Sequence, residues 1–119
     1  MRRLSGKIHG ILDYATVLAL VGVGLSGLFS PYFSHLIIGL GIVHLLLTVL
    51  TKFEMGLMAL IPLTLHGYVE LIVSIALIPA PFVLGYSDET PAKYFTWIFA
   101  TVVFALFLLT DYAGKAPSK

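Results

Sequence analysis

Two pairs of ionisable residues lie inside otherwise apolar stretches of the sequence. His9 precedes Asp13 by four positions, and His66 precedes Glu70 by the same interval. On an α-helix this spacing places both side chains of a pair on one face, in contact. If the two faces point inward, two imidazoles and two carboxylates meet. Imidazole nitrogen and carboxylate oxygen are ligands of zinc, manganese and iron, so this group could hold a divalent metal ion.

The same four residues allow two other interpretations. Histidine titrates near neutral pH, so the group could relay protons. Alternatively, each carboxylate orients its own histidine or pairs with Lys7 or Lys52, and the group holds the helices together near the membrane surface. Ion-pair networks of this kind are common, and long cationic side chains reach the interface easily. The sequence favours this structural role.

Three further residues are secondary candidates. His44 lies deep in an apolar stretch, where we expect it to hydrogen-bond a neighbouring helix backbone or a Ser or Thr hydroxyl. Lys52 and Asp111 stand at the ends of two apolar stretches. Of the two, Lys52 could pair with a carboxylate of the group.

Haem is a second cofactor alternative, because two histidines at matched depth can serve as its axial ligands. His9 and His66 are the candidates, whereas His44 has no matching histidine in the region from Thr101 to Phe104. We predict that the protein has no cofactor, with a divalent metal ion and haem as the alternatives.

Composition identifies the class of protein that must position these residues. The chain has 119 residues, of which 59% are apolar and 11% are charged, against about 25% charged in a soluble domain. A chain this short cannot bury so much apolar residue in a soluble core. We therefore predict a single membrane domain over residues 1–119. The net charge of +1 argues against nucleic acid as a partner, and the absence of cysteine excludes disulfides and thiolate ligands.

Four apolar stretches approach the length of a transmembrane helix, which needs about 20 residues. They run over about 8–29, 33–51, 62–86 and 93–110, and Pro79 and Pro81 are expected to end the third helix early. The short stretch 57–61 reads as an interfacial or re-entrant segment. The predicted fold is an all-α membrane protein, a bundle of four transmembrane helices.

The distribution of Lys and Arg predicts the orientation. Four spans place both termini and the middle turn on one side, which carries six of the seven cations: Arg2, Arg3, Lys7, Lys52, Lys115 and Lys119. The other side carries Lys93. By the positive-inside rule, both termini are cytoplasmic and the protein is a multi-pass protein of the cytoplasmic (inner) membrane.

The two halves of the chain repeat each other. His9-Gly10 with Asp13 matches His66-Gly67 with Glu70, and Leu50-Thr51-Lys52-Phe53 matches Leu109-Thr110-Asp111-Tyr112. Each half is then a helical hairpin, over about 7–56 and 62–115. Hairpins with an even number of spans lie parallel, related by an axis along the membrane normal. We expect the first and third spans to lie beside or opposite each other, with equivalent residues at equal depth.

The stretch from Lys7 to Tyr14, its second copy from His66 to Glu70, and the Ile61-Pro62 step before that copy resemble the SPW-repeat family of small bacterial membrane proteins. The resemblance covers nearly the whole chain. It implies duplicated two-helix units and no established biochemical activity. The Ser-Pro-Trp tripeptide of the family is absent, and Ala80-Pro81-Phe82 stands in its place in the second half.

We therefore expect a non-enzymatic protein with a structural or binding role in the bilayer. One alternative is a metal- or proton-handling transporter or channel that uses His9, Asp13, His66 and Glu70. Another is a haem-binding or other redox membrane protein. The partners expected are lipid and a second copy of the chain, because four thin helices bury little surface. The sequence does not identify a small-molecule or ion ligand.

Overall fold

The computed structural model describes residues 4–52, 56–58 and 60–110. Helices α1 and α2 are followed by two short strands, β1 and β2, and then by helices α3, α4 and α5. Their bounds are Gly6–Leu25 (α1), Pro31–Leu50 (α2), Thr51–Lys52 (β1), Ile61–Pro62 (β2), Leu63–Ala76 (α3), Ala80–Val83 (α4) and Thr90–Leu109 (α5).

Three helices, α1, α2 and α5, are long and apolar enough to cross a membrane, judged by length and composition. The prediction of a mostly helical membrane protein is confirmed to this extent. The predicted third stretch, 62–86, is too long for one helix, because α3 has 14 residues and ends at Ala76. Pro79 and Pro81 follow, and proline removes a backbone donor and clashes with the preceding turn. The short helix α4 begins at Ala80.

Side-chain caps and glycine geometry set the helix ends. The Ser5 hydroxyl accepts from the Ile8 amide at 3.2 Å, and Ser30 accepts from the Phe33 amide at 3.2 Å. Such N-caps satisfy amides that have no partner within the helix. α1 ends at Leu25, before the predicted residue 29, because Gly27 adopts a φ of 83°, which favours glycine and stops the helix.

The helices pack as two hairpins, α1 against α2 and α3 against α5. α1 approaches α2 closely at Gly24 and Gly41. A methyl group at Gly24 would overlap the Ile38 side chain and lie 3.1 Å from the Ser34 carbonyl oxygen. Small residues allow such close contact between helices in a membrane protein. Gly22, by contrast, has open space around it.

The two ends of the molecule differ in character. At one end, here called the paired end, β1 and β2 pair in parallel, Thr51 with Ile61, and Leu4 pairs with Thr110. The stretch before β2 folds back on α2, since the Leu60 amide donates to the Leu50 carbonyl at 3.0 Å. The opposite, aromatic end holds the buried apolar core, formed by Leu20, Phe33, Ile37, Tyr86 and Ala92.

Candidate metal centre

Four ionisable side chains meet near the paired end of the molecule. α1 supplies His9 and Asp13, and α3 supplies His66 and Glu70. Their exposed fractions are 0%, 1%, 0% and 4%, so all four are buried. One ligand atom from each lies within 4.8 Å of the others, a group that could hold a metal ion. The i, i+4 spacings left open whether the two pairs meet, and in the structure they do.

Each histidine contacts both carboxylates. His9 Nε2 lies 3.2 Å from Asp13 Oδ1 and 2.8 Å from Glu70 Oε1. His66 Nε2 lies 2.9 Å from Asp13 Oδ2 and 3.1 Å from Glu70 Oε2. The contacts between α1 and α3 are therefore shorter than those within one helix. A carboxylate that only orients its own histidine would not produce this arrangement.

A fifth side chain reaches the group from α2. His44 Nε2 lies 3.3 Å from Asp13 Oδ1 and 4.0 Å from Glu70 Oε2. The sequence placed His44 against a backbone or hydroxyl group and did not anticipate these contacts. It is the least buried member, with 11% of its side chain exposed.

Two threonines hold the far nitrogens of the imidazole rings. Thr110 Oγ1 lies 2.5 Å from His9 Nδ1, and Thr51 Oγ1 lies 2.6 Å from His66 Nδ1. The pairing crosses between hairpins: Thr51 follows α2 and holds a histidine of α3, whereas Thr110 follows α5 and holds a histidine of α1. A hydrogen bond to the distal nitrogen is the usual outer-shell partner of a metal-binding histidine.

The threonine geometry fixes which ring nitrogen carries a proton. The Thr51 hydroxyl donates to the Leu47 carbonyl at 2.5 Å, and the Thr110 hydroxyl donates to the Leu106 carbonyl at 2.6 Å. A hydroxyl has one hydrogen, so each Oγ1 accepts from the histidine Nδ1–H. In the neutral ring, Nε2 then carries a lone pair directed toward the carboxylates.

Lone pairs and carboxylate oxygens this close repel each other unless positive charge lies between them. A second proton on each ring or a metal ion can supply that charge. One divalent ion neutralises Asp13 and Glu70 together, and neutrality is favoured at a buried site within a membrane. Two ligands at right angles on one ion, each bonded at ~2.1 Å, lie about 3 Å apart. Five of the six contacts, at 2.8–3.3 Å, are compatible with this separation as well as with hydrogen bonds, whereas His44 Nε2 lies 4.0 Å from Glu70 Oε2.

Sequence reasoning found the four central residues but missed Thr51 and Thr110 as site residues. Their signal was present, because both belong to the second matching segment of the repeat. Lys7, an alternative partner for the carboxylates, lies exposed on α1. The side chain of Lys52 and all of Asp111 lie outside the described residues.

Comparison of the chain with protein-family models, with curated proteins and with solved structures finds no match in any of the three. The resemblance to SPW-repeat proteins therefore stays a prediction. The case for a function depends on the geometry of the site.

Proposed function

We propose that this protein is a small four-span membrane protein whose two hairpins are joined by one divalent transition-metal ion. His9 and Asp13 bind the ion from α1, and His66 and Glu70 bind it from α3. The observation that carries the proposal is the convergence of four buried ligand atoms, one from each residue, within 4.8 Å. Two imidazoles and two carboxylates suit zinc, manganese or iron.

The hydrogen bonds that Thr51 and Thr110 accept from the two histidines support metal binding. The threonine contacts place a proton on Nδ1 of both histidines, so that a neutral ring presents the lone pair of Nε2 to a metal ion. Metal-binding histidines are commonly held in this way by a partner on the opposite nitrogen.

In this proposal α3, continued through α4, is the fourth span, and the two hairpins are copies of one unit. His9 and His66 each stand in the first turn or so of their helices. The excess of Lys and Arg near the paired end makes that end cytoplasmic in the inner membrane. The metal ion then lies within the bundle, close to the cytoplasmic surface.

The proposed role of the ion is to bind the halves together. Each hairpin supplies only part of the ligand set, so neither holds the ion well alone. This agrees with the expected binding role in the bilayer rather than with an enzyme. Haem fits the site poorly, because Asp13 and Glu70 contact Nε2 of both His9 and His66. A porphyrin between the two rings would collide with these carboxylates.

The test is metal analysis of the full chain purified in detergent and reconstituted with Mn(II), Fe(II) or Zn(II). We expect one ion per chain. The double variant Asp13→Asn/Glu70→Gln keeps the side-chain shapes but removes both negative charges, so it should lose the ion. His35→Asn is the matched control, because this histidine of α2 is exposed and far along the helix from His44.

Circular dichroism of each variant shows whether the helices persist. If the double variant loses helical content, the metal content of the single variant Glu70→Gln is compared with that of the wild type and of His35→Asn instead. Wild-type protein that is folded and binds none of the three ions contradicts the proposal. It would favour instead a protonated histidine–carboxylate network, in which the proton-relay alternative is the one to pursue.

A further inference from the structure

His44 breaks the equivalence between the two halves. Thr51 and Thr110 make equivalent contacts at the ends of α2 and α5. Counted back from these threonines, the position of His44 on α2 corresponds to Val103 on α5. The first hairpin therefore brings three nitrogen or oxygen ligands to the centre and the second brings two. Where symmetry would place a sixth ligand, the chain has a buried aliphatic side chain, 5% exposed.

A small cavity lies beside this position. It has a volume of about 40 Å³, and its lining includes His44, Glu70 and Val103, with the remaining walls apolar and drawn from α2, α3 and α5. About 10–15 Å³ by this measure accommodates one water molecule, so the cavity has room for a molecule of two or three atoms. Its lining residue Val43 is 62% exposed, so the cavity borders the lipid-facing surface.

Coordination chemistry connects these two features. Iron and manganese with nitrogen and oxygen ligands favour six-coordinate sites, and reactive centres keep one position open whereas structural centres are closed. The four converging residues and His44, whose Nε2 lies 3.3 Å from Asp13 Oδ1, would give such an ion five protein ligands and leave one position. Glu70 and His44 both line the cavity, so the position nearest to it is the one without a protein ligand.

We propose that the metal centre keeps an open coordination position toward Val103, where it binds a small uncharged diatomic molecule that enters from the bilayer. The inference rests on the proposed metal site. Two carboxylates already neutralise a divalent ion, so an additional anion gains little attraction. The apolar walls favour a ligand that dissolves in lipid, which is a property of dioxygen and nitric oxide.

Nitric oxide is the probe, because its complex with ferrous iron has a distinctive electron paramagnetic resonance spectrum. The full chain is loaded with Fe(II) without oxygen, its iron content is measured, and nitric oxide is added. We expect a ferrous–nitrosyl signal that accounts for the bound iron. Protein that holds iron but gives no such signal overturns the inference and leaves the proposed function standing. Protein that binds zinc or manganese but no iron also overturns the inference, whereas folded protein that binds none of the three ions contradicts the proposed function itself.

Val103→His tests the open position directly. The new imidazole should occupy the position, so the protein keeps its iron while nitric oxide binds about tenfold more weakly or worse. Val102→His is the matched control, since Val102, the neighbour of Val103 on α5, is 47% exposed and does not line this cavity. Equal nitrosyl signals from the two variants, at equal iron content, would overturn the inference.

A second variant tests the inference if the Val103→His protein fails to fold or to bind iron. Val43→Trp adds bulk at the lipid-facing edge of the cavity, where an exposed side chain tolerates the change. It should slow nitric oxide binding in stopped-flow measurements by several-fold and leave iron content unchanged. A rate equal to that of the wild type would show that the ligand does not enter by this route.

Discussion

The two hairpins are alike at the paired end and unlike at the aromatic end. At the paired end each contributes a histidine, a carboxylate and a threonine with matching contacts. At the aromatic end, α1 and α2 run on as long helices in close contact at Gly24, whereas α3 stops at Ala76. There the Trp97 indole donates to the Ile78 carbonyl at 2.9 Å, which gives a hydrogen-bond donor to a backbone carbonyl beyond the end of α3. The likeness is thus retained where the ionisable residues meet.

This difference fits the proposed metal centre, which would constrain the two halves to resemble each other at the paired end. Residues that only pack are under no such constraint, as the contact between Gly24 and Ile38 in the first hairpin illustrates. Residues that must meet at one ion need to keep a ligand atom at the same depth, as the two histidines and the carboxylates of Asp13 and Glu70 do. Three sets of variants test whether the two hairpins are equivalent at the paired end and different in their packing elsewhere.

The largest effect is expected from the histidines themselves. His9→Gln and His66→Gln should each lower metal affinity by more than about 100-fold, since loss of an outer-shell partner alone costs 10- to 100-fold. Titration with Zn(II) against a chelator of known affinity measures both. The two losses should agree within a few-fold, because both histidines face the carboxylates through Nε2 and both are held by a threonine at Nδ1. A large loss for one variant with wild-type affinity for the other would show that the halves are not equivalent.

A larger side chain at Gly24 should destabilise the packing of α1 against α2, in the first hairpin alone. Gly24→Val places methyl groups where Ile38 and the Ser34 carbonyl already lie, and overpacking of this kind costs about 1–3 kcal/mol. Gly22→Val is the control, because a side chain at Gly22 meets open space. Thermal unfolding in detergent compares them. Equal melting temperatures would mean that close approach of α1 and α2 does not stabilise the fold.

The smallest effect is expected from the threonines, which touch the ligands and not the ion. Thr51→Val and Thr110→Val keep the shape of the side chain and remove the acceptor for Nδ1. Each should weaken metal binding by about tenfold or more, with helical content unchanged. Thr101→Val is a matched control, because this exposed threonine of α5 bonds its own helix, at the Trp97 carbonyl. A control variant that weakens binding equally would contradict the assigned role.

Local spacing was enough to identify the two pairs as candidates. His9 and Asp13 share a helix face by geometry alone, as do His66 and Glu70, but whether the two faces meet depends on how α1 and α3 pack. His44 was beyond reach, because its contact with Asp13 depends on how closely α2 approaches α1 at Gly24 and Gly41. Lateral packing of this kind has no signature in a uniformly apolar segment.

Aromatic residues show the same limit. Phe33 and Tyr86 belong to a group of rings whose position along the chain suggests the membrane interface. In the structure they are 2% and 5% exposed and lie in the core. Position along the chain predicts the depth of a ring in the membrane. It does not distinguish a ring that faces another helix from one that faces lipid.

The crossed threonine contacts have a consequence for biosynthesis. Thr110 follows α5, yet its hydroxyl holds the ring of His9 near the start of α1. During synthesis, the His9 ring is therefore not held by Thr110 until α5 has been made. A metal ion that requires this ring in place would be bound only after α5 has joined the bundle.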